Sequence, residues 1–464
     1  KKMKKIKLAY IGGGSKQWAR VFMTDLALTS DLTGEIALYD IDIPAAERNK
    51  RIGERINGNE KTVSVWKYKV CQTLGEALEG ADFVVISILP GTFDEMETDV
   101  HLPERYGIYQ SVGDTAGPGG VLRAMRTVPL YEGFAKAVRE HCPDAWVINF
   151  TNPMSICVKT LYDVFPGIKA FGCCHEVFHA QEFLCCVYAE MTGSSRPERK
   201  EMRTDAVGIN HFTWISRAHC RGENVMDMLP GFIERYYEKG YCEMPGVKPG
   251  DYALSPFYYG NKVKMELFRR YGALGAAGDR HLAEFFESGR FLNGKDGAEK
   301  WLFHLTSVEY RKAERERLIR EGEETANGKR EISLKHSDEE AVSIMKALLG
   351  EGDLVTNVNL PNRGQVSWLN EGDITETDCL ISCDGIRPIA GDRLPESVRK
   401  LIAGCSSNIN ACYKGIKERD IGKIYASFIN QPLCSGLSFE EGRELFDLMV
   451  KGTRKYLDPF YDID

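Results

Sequence analysis

The sequence predicts an α/β fold, with a doubly wound parallel sheet in residues 1–200 and a mixed α+β second domain in residues 201–464. Three observations predict it. Short apolar runs alternate with helix-spaced segments through residue 175, a glycine-rich turn closes the first run, and an acidic residue ends the second. Beyond residue 200 the pattern loosens into longer helices and turn-rich pieces, which read as a layer closing over the first.

The strands are expected at Ile6–Ile11, Glu35–Asp40, Val65–Cys71, Phe83–Leu89, Trp146–Phe150 and Lys169–Cys173. Most are apolar without alternation, as parallel strands covered on both faces must be. Between them Ser15–Thr29, Pro44–Asn57, Val121–His141 and Met154–Phe165 carry helical spacing, completing β-α-β units. In such a sheet ligands bind at the carboxyl ends of the strands. The charged stretch from Lys312 to Glu340 reads as a solvated helix with a surface loop.

Composition narrows the partners. A hydrophobic fraction of 43% with 27% charged residues is that of an ordinary globular protein, and a net charge of −7 offers no bulk attraction to nucleic acid or an anionic membrane. A small polar substrate fits better. No run is apolar for long enough to span a bilayer, and the basic start breaks at Gly12-Gly13-Gly14 without a signal peptide's apolar region. The 14 cysteines include adjacent pairs but no C-x-x-C, a usage that suits reduced thiols and a cytoplasmic location.

Tyr10-Ile11-Gly12-Gly13-Gly14-Ser15 follows the first strand and opens a helix, where backbone amides at Gly12, Gly14 and Ser15 can approach a pyrophosphate. Gln17 stands where a third glycine is usual, so a purely structural turn is the competing reading. Asp40 ends the second strand at the place where a carboxylate accepts from ribose hydroxyls and repels a 2′-phosphate, which favours NAD over NADP. Asn152, in Thr151-Asn152-Pro153 after the fifth strand, can bond a substrate hydroxyl or the nicotinamide ribose, or simply form a strand-end turn. The loop Gly113-Asp114-Thr115-Ala116-Gly117-Pro118-Gly119-Gly120 can let a ligand approach closely, or serve only as a connector.

The segment Cys174-His175-Glu176-Val177-Phe178-His179 supports two chemistries. From His175 it is H-E-x-x-H, a zinc-protease pattern, but the metzincin continuation is absent because Glu182 replaces its glycine, and a nucleotide-type sheet is a poor home for it. From Cys174 it is a thiolate at the mouth of a strand. Gly208-Ile209-Asn210-His211 adds an imidazole; a lone histidine in an apolar run is usually core, yet with Cys174 it leaves metal positions open for substrate oxygens.

In this order these motifs resemble glycoside hydrolase family 4, the NAD- and metal-dependent glycosidases, along most of the chain. The resemblance implies an architecture like that of lactate and malate dehydrogenases. The C-H-E-V tetrapeptide at 174–177 resembles the α-galacturonidase subgroup, which implies a uronide substrate. It further implies Cys174 and His211 as ligands of a divalent metal, usually Mn2+, and Asn152 as a substrate ligand. His175 stands where other subgroups place an aspartate general acid. In the implied chemistry NAD+ accepts a hydride from C3, the metal polarises the ketone, a base removes the C2 proton, the leaving group departs by elimination, and water and hydride return.

For the base, family members use a tyrosine or an aspartate, and this chain offers Asp279 first and Tyr259 second. Arg280 can grip a uronate carboxylate, or pair internally with its neighbour Asp279. A homodimer or homotetramer is expected from the resemblance. Two other classes compete: a simple NAD-dependent 2-hydroxy acid dehydrogenase, whose G-x-H-G signature is not seen here, and a dinucleotide-sensing protein without catalysis. Another α-glycoside, such as an α-glucuronide, α-galactoside or α-glucoside, is the alternative within the family.

Overall fold

The computed structural model describes residues 3–391 and 393–463. Six parallel strands form the nucleotide-type half: β1 Lys4–Ile11, β2 Leu32–Tyr39, β3 Trp66–Cys71, β4 Phe83–Ile86, β5 Trp146–Asn149 and β6 Lys169–Gly172. Their order is β3-β2-β1-β4-β5-β6, so the direction of winding reverses between β1 and β4. A crevice opens at that reversal, outside the carboxyl ends of the strands.

The unbroken apolar runs have a direct cause. Ile6, Leu8, Tyr10, Phe83 and Val85 point into one core, while Ala9, Ile11, Val84 and Ile86 point into another on the opposite face. Helices cover both faces, so neither register of the period-2 strand meets water.

Residues beyond 200 contribute β7 Arg203–Ile209, β8 Phe212–Cys220, β9 Glu223–Asn224, β10 Leu274–Gly275, β11 Leu354–Pro361, β12 Ile374–Ser382 and β13 Gly385–Pro388. They do not form a separate sheet. β11 pairs with β6 through Asn359 and Gly172, and the antiparallel series β11-β12-β7-β8-β10 continues the same sheet. The two halves thus share one backbone ladder across the site. A third core, including Phe212, Trp214, Phe303, Ile402, Phe428 and Phe446, lies under the carboxyl-terminal helices.

Two elements depart from expectation. The helix expected from Val121 begins at Gly117, inside the glycine loop, with Pro118 in its first turn where a missing N–H is harmless. A Cβ on Gly119 would lie 2.7 Å from Gly113 O and one on Gly120 2.4 Å from Thr115 O. These glycines serve backbone packing rather than ligand approach. The charged stretch forms the helix Val308–Ala326, capped by Ser307, whose hydroxyl accepts from Tyr310 N at 3.1 Å. Its Glu323 bonds Arg48 at 2.8 Å, clamping it onto the helix Ile43–Asn57. The following segment is a strap, since Ser337 N donates to Asp25 Oδ1 at 2.8 Å and Glu339 reaches His175.

Candidate active site

Gly12 takes a φ of +93°, and a Cβ there would meet Ser87 O at 2.0 Å, so only glycine lets β1 turn this tightly over the end of β4. Gly14 N donates to Asp40 Oδ2 and Asp42 N to Asp40 Oδ1, each at 2.8 Å. The carboxylate at the end of β2 therefore sits against the glycine turn, with Ser15 next to it. Asn49, which sequence reading passed over, fastens the turn by donating to Gly13 O and Ser15 O, both at 2.8 Å. Its signal was an asparagine on the buried face of an amphipathic helix.

The mouths of β5 and β6 carry the polar groups of the second part of the crevice. Asn152 follows β5 before a cis Asn152–Pro153 bond; its Nδ2 points to Asp114 Oδ2 at 3.5 Å, and its Oδ1 is buried without a partner among the described residues. Arg123 Nε donates to Asn152 O at 2.9 Å. Cys174 lies two residues past β6, half-buried beside Glu376, Glu176 and Asn210. Burial, reinforced by the two carboxylates, holds its thiol well above the usual range.

His211 occupies the two-residue turn between β7 and β8 and meets two groups from elsewhere. Asp114, His211 and His281 bring one ligand atom each to within 4.8 Å of one another. The two imidazoles lie 4.0 Å apart between ring centroids. Thr115 Oγ1 is 3.2 Å from His211 Nδ1, which leaves Nε2 for the centre of the cluster. Burial pulls both imidazoles down, His281 to about 3 with His211 as the next cause. Burial also opposes the charge of Asp114, but Arg123 and the two imidazoles outweigh it and hold the carboxyl well below its usual range. One carboxylate and two neutral imidazoles form a donor set suited to a divalent transition cation, and the orphaned buried amides of Asn152 and Asn210 beside it suit a polar ligand. His211 is thus a member of the converging set, whereas Cys174 is not among the three. Sequence spacing could not bring in Asp114 and His281, which are 97 and 70 residues from His211.

His175 and Glu176 open the helix Glu176–Thr192. His175 Nδ1 is 3.2 Å from Glu339 Oε1, and its ring lies 5.7 Å from that of Trp18, which in turn stacks on Phe150. The imidazole therefore faces the glycine-turn side of the crevice. Glu176 Oε1 lies 3.8 Å from both His175 Nε2 and His281 Nε2, and its Oε2 accepts from Gly278 N at 2.6 Å. Burial resists its ionisation, but the surrounding imidazoles hold it well below its usual range. His175, Glu176 and His179 also place ligand atoms within 4.8 Å of one another, at the start of one helix.

The two base candidates are separated by their surroundings. Asp279 is fully buried, and its oxygens accept from Val263 N and Lys264 N at 3.1 Å each, capping the helix Lys262–Tyr271; burial pushes its carboxyl up to about 7. Tyr259 lies with its hydroxyl over Gly278, where a Cβ would meet the oxygen at 3.0 Å, and donates to Glu243 Oε1 at 3.4 Å. Arg280 does not pair with Asp279. Its Nη1 bonds Thr306 Oγ1 and its guanidinium packs 4.8 Å over the Phe257 ring.

Known proteins resemble this chain along most of its length. Residues 7–190 match the family 4 glycosyl hydrolase model and residues 206–434 its C-terminal domain. An α-galacturonidase of Thermoanaerobacterium saccharolyticum is 45% identical over 98% of this chain and 97% of its own. The crystal structure of a Bacillus subtilis protein designated a candidate glucosidase superposes with a TM-score of 0.91 at 45% identity, covering 96% of this chain and 99% of that one. A 6-phospho-α-glucosidase from gut microorganisms, solved with NAD and Mn2+, shares the fold at a TM-score of 0.81 and 17% identity, covering 98% of this chain and 99% of its own. Matched by both models of the family through most of its length, and 45% identical to that α-galacturonidase over nearly the full length of both chains, the chain belongs to the family 4 glycosyl hydrolases.

Proposed function

We propose that the protein is an α-galacturonidase that binds NAD and a divalent metal, most simply Mn2+. The observation that carries this reading is the identity of 45% with an α-galacturonidase over nearly the full length of both chains. The glycine turn at Gly12, Gly14 and Ser15 would receive the pyrophosphate, and Asp40 the ribose hydroxyls. His211, with Asp114 and His281 beside it and Cys174 at the mouth of β6, would hold the cation. When bound, the two groups supply a hydride acceptor and an electrophile at the sugar's oxygens.

The protein's own residues do the rest. Asn152 presents an unpartnered Oδ1 to a sugar hydroxyl. Tyr259 is the better-placed C2 base, because its hydroxyl can pass a proton to Glu243, whereas both oxygens of Asp279 accept from a helix end. His175, paired with Glu339, carries the general-acid role. Arg280, free of any carboxylate among the described residues, faces the substrate's acid. Residues 1–200 would bind the cofactor and 201–464 complete the metal and subunit surfaces of a homodimer or homotetramer. All 14 cysteines are unpaired, which supports a cytoplasmic location; among the described residues no helix is long and apolar enough to cross a membrane.

The test is incubation with p-nitrophenyl α-galacturonide, NAD+, Mn2+ and a reductant. Nitrophenol release without net NADH accumulation is expected. Steady NADH production from a free 2-hydroxy acid would replace this reading with that of a dehydrogenase. Turnover of a neutral α-glycoside in preference to the uronide would move the substrate within the family.

A further inference from the structure

The geometry points to Arg311 as the second arm of a clamp, with Arg280 as the first, that binds the carboxylate of the sugar substrate. The inference rests on the reading of the protein as a uronide hydrolase and names the residue that makes it one.

Arg311 lies in the first turn of the helix Val308–Ala326, its N–H donating to Ser307 O at 3.2 Å. The start of this helix is tied directly to Arg280. Arg280 Nη1 bonds Thr306 Oγ1, Thr306 N donates to Ser111 O at 3.0 Å, and the Ser111 hydroxyl donates to Arg280 O. Three chain segments, at 111–114, 280 and 306–311, therefore meet at one edge of the crevice, beside Asp114. Phe257 covers a face of the Arg280 guanidinium and restricts its motion.

Among the described residues neither guanidinium has a carboxylate partner, and Arg311 Nε is buried without a hydrogen-bond partner. On the same helix Arg317 bonds both Glu314 and Glu321. An unpaired buried cation is costly, and a second one nearby adds repulsion. The cost is visible in Arg311 itself, whose charge is weakened to about 10 chiefly by burial, with Arg280 and Arg123 acting in the same sense. Asp114 and Glu284 are the nearest opposing groups. Asp114 is engaged with the imidazoles and Asn152, and Glu284 accepts from Val112 N and Gly113 N at 2.8 and 2.9 Å. A monovalent planar anion entering from the crevice would satisfy both forks, whereas a neutral hydroxymethyl group would leave them unpaired. That difference is a specificity device acting partly by exclusion.

The test compares binding of free galacturonate and galactose to the full-length protein loaded with NAD+ and Mn2+, by calorimetry, in wild type, Arg311→Gln and Arg311→Lys. The wild type is expected to prefer galacturonate, and Arg311→Gln to lose about 10- to 100-fold of its galacturonate affinity with galactose affinity unchanged. Arg311→Lys keeps the charge and the apolar stem but not the fork, so it carries the test even if Arg311→Gln does not fold, and a loss of at least about 5-fold is expected. Unchanged preference in a cooperatively melting variant overturns the clamp alone. A wild type that binds the two sugars equally overturns the uronide reading, and the clamp with it.

Discussion

Glu176 Oε2 accepts a hydrogen bond from Gly278 N at 2.6 Å, which joins the helix that follows β6 to the segment bearing Asp279, Arg280 and His281. Its other oxygen stands 3.8 Å from His175 and from His281. One half-buried carboxylate therefore stands between the acid candidate and the metal cluster. Glu176→Gln keeps the size but presents one acceptor instead of two. Turnover of p-nitrophenyl α-galacturonide is expected to fall by about 10- to 100-fold, because the negative charge that stands beside His175 and His281 is lost. Full activity in this variant would remove Glu176 from the site.

The two base candidates answer to different measurements. Asp279→Asn weakens a helix cap and is expected to cost about 1 kcal/mol of stability, read as a lower melting temperature. Tyr259→Phe removes only a hydroxyl bonded to Glu243. It is expected to leave the melting temperature within a few degrees of wild type and to abolish exchange of the substrate's C2 hydrogen with deuterated solvent. Retained exchange in Tyr259→Phe, with loss in Asp279→Asn, would reverse the assignment.

The metal cluster makes a separable claim. His281→Ala and Asp114→Asn are each expected to weaken Mn2+ binding by at least about 10-fold in equilibrium titration. Cys174→Ser is expected to abolish turnover while NAD affinity stays nearly intact. If His281→Ala titrates with Mn2+ as wild type does, the cation is held by His211 and Cys174 without the second imidazole.

Stability should fall as pH rises from weakly acidic to neutral, with Asp378 among the causes. Burial pushes its carboxyl up to about 7, and Asp205 and Glu376 add to the shift against the bond from Ala206 N at 2.9 Å. The folded value lies above the unfolded value of about 3.9, so the native state binds the proton more tightly. That contribution is complete below pH 4 and is lost as pH passes 7. Asp378→Asn is expected to flatten the fall in melting temperature of the unliganded protein between pH 5 and pH 8. Parallel curves for the two proteins would refute the assignment to Asp378.

Much of this molecule was readable from the chain. Unbroken apolar runs, a glycine turn and an acidic strand end specify the six parallel strands and their active edge, because these are local signals with local causes. The helix Phe93–His101 was legible too, since Thr92 and Glu95 form its capping box, although it went unread. Family order then named Cys174 and His211 from short, contiguous motifs. Other facts depend on long-range packing, which leaves no periodic trace. That residues beyond 200 extend the first sheet rests on the single pairing of Asn359 with Gly172. The convergence of Asp114 and His281 on His211, the capping role of Asp279, and Arg311 turned inward from a helix that reads as solvated were settled by how distant segments meet, and by what each buried charge found, or failed to find, as a partner.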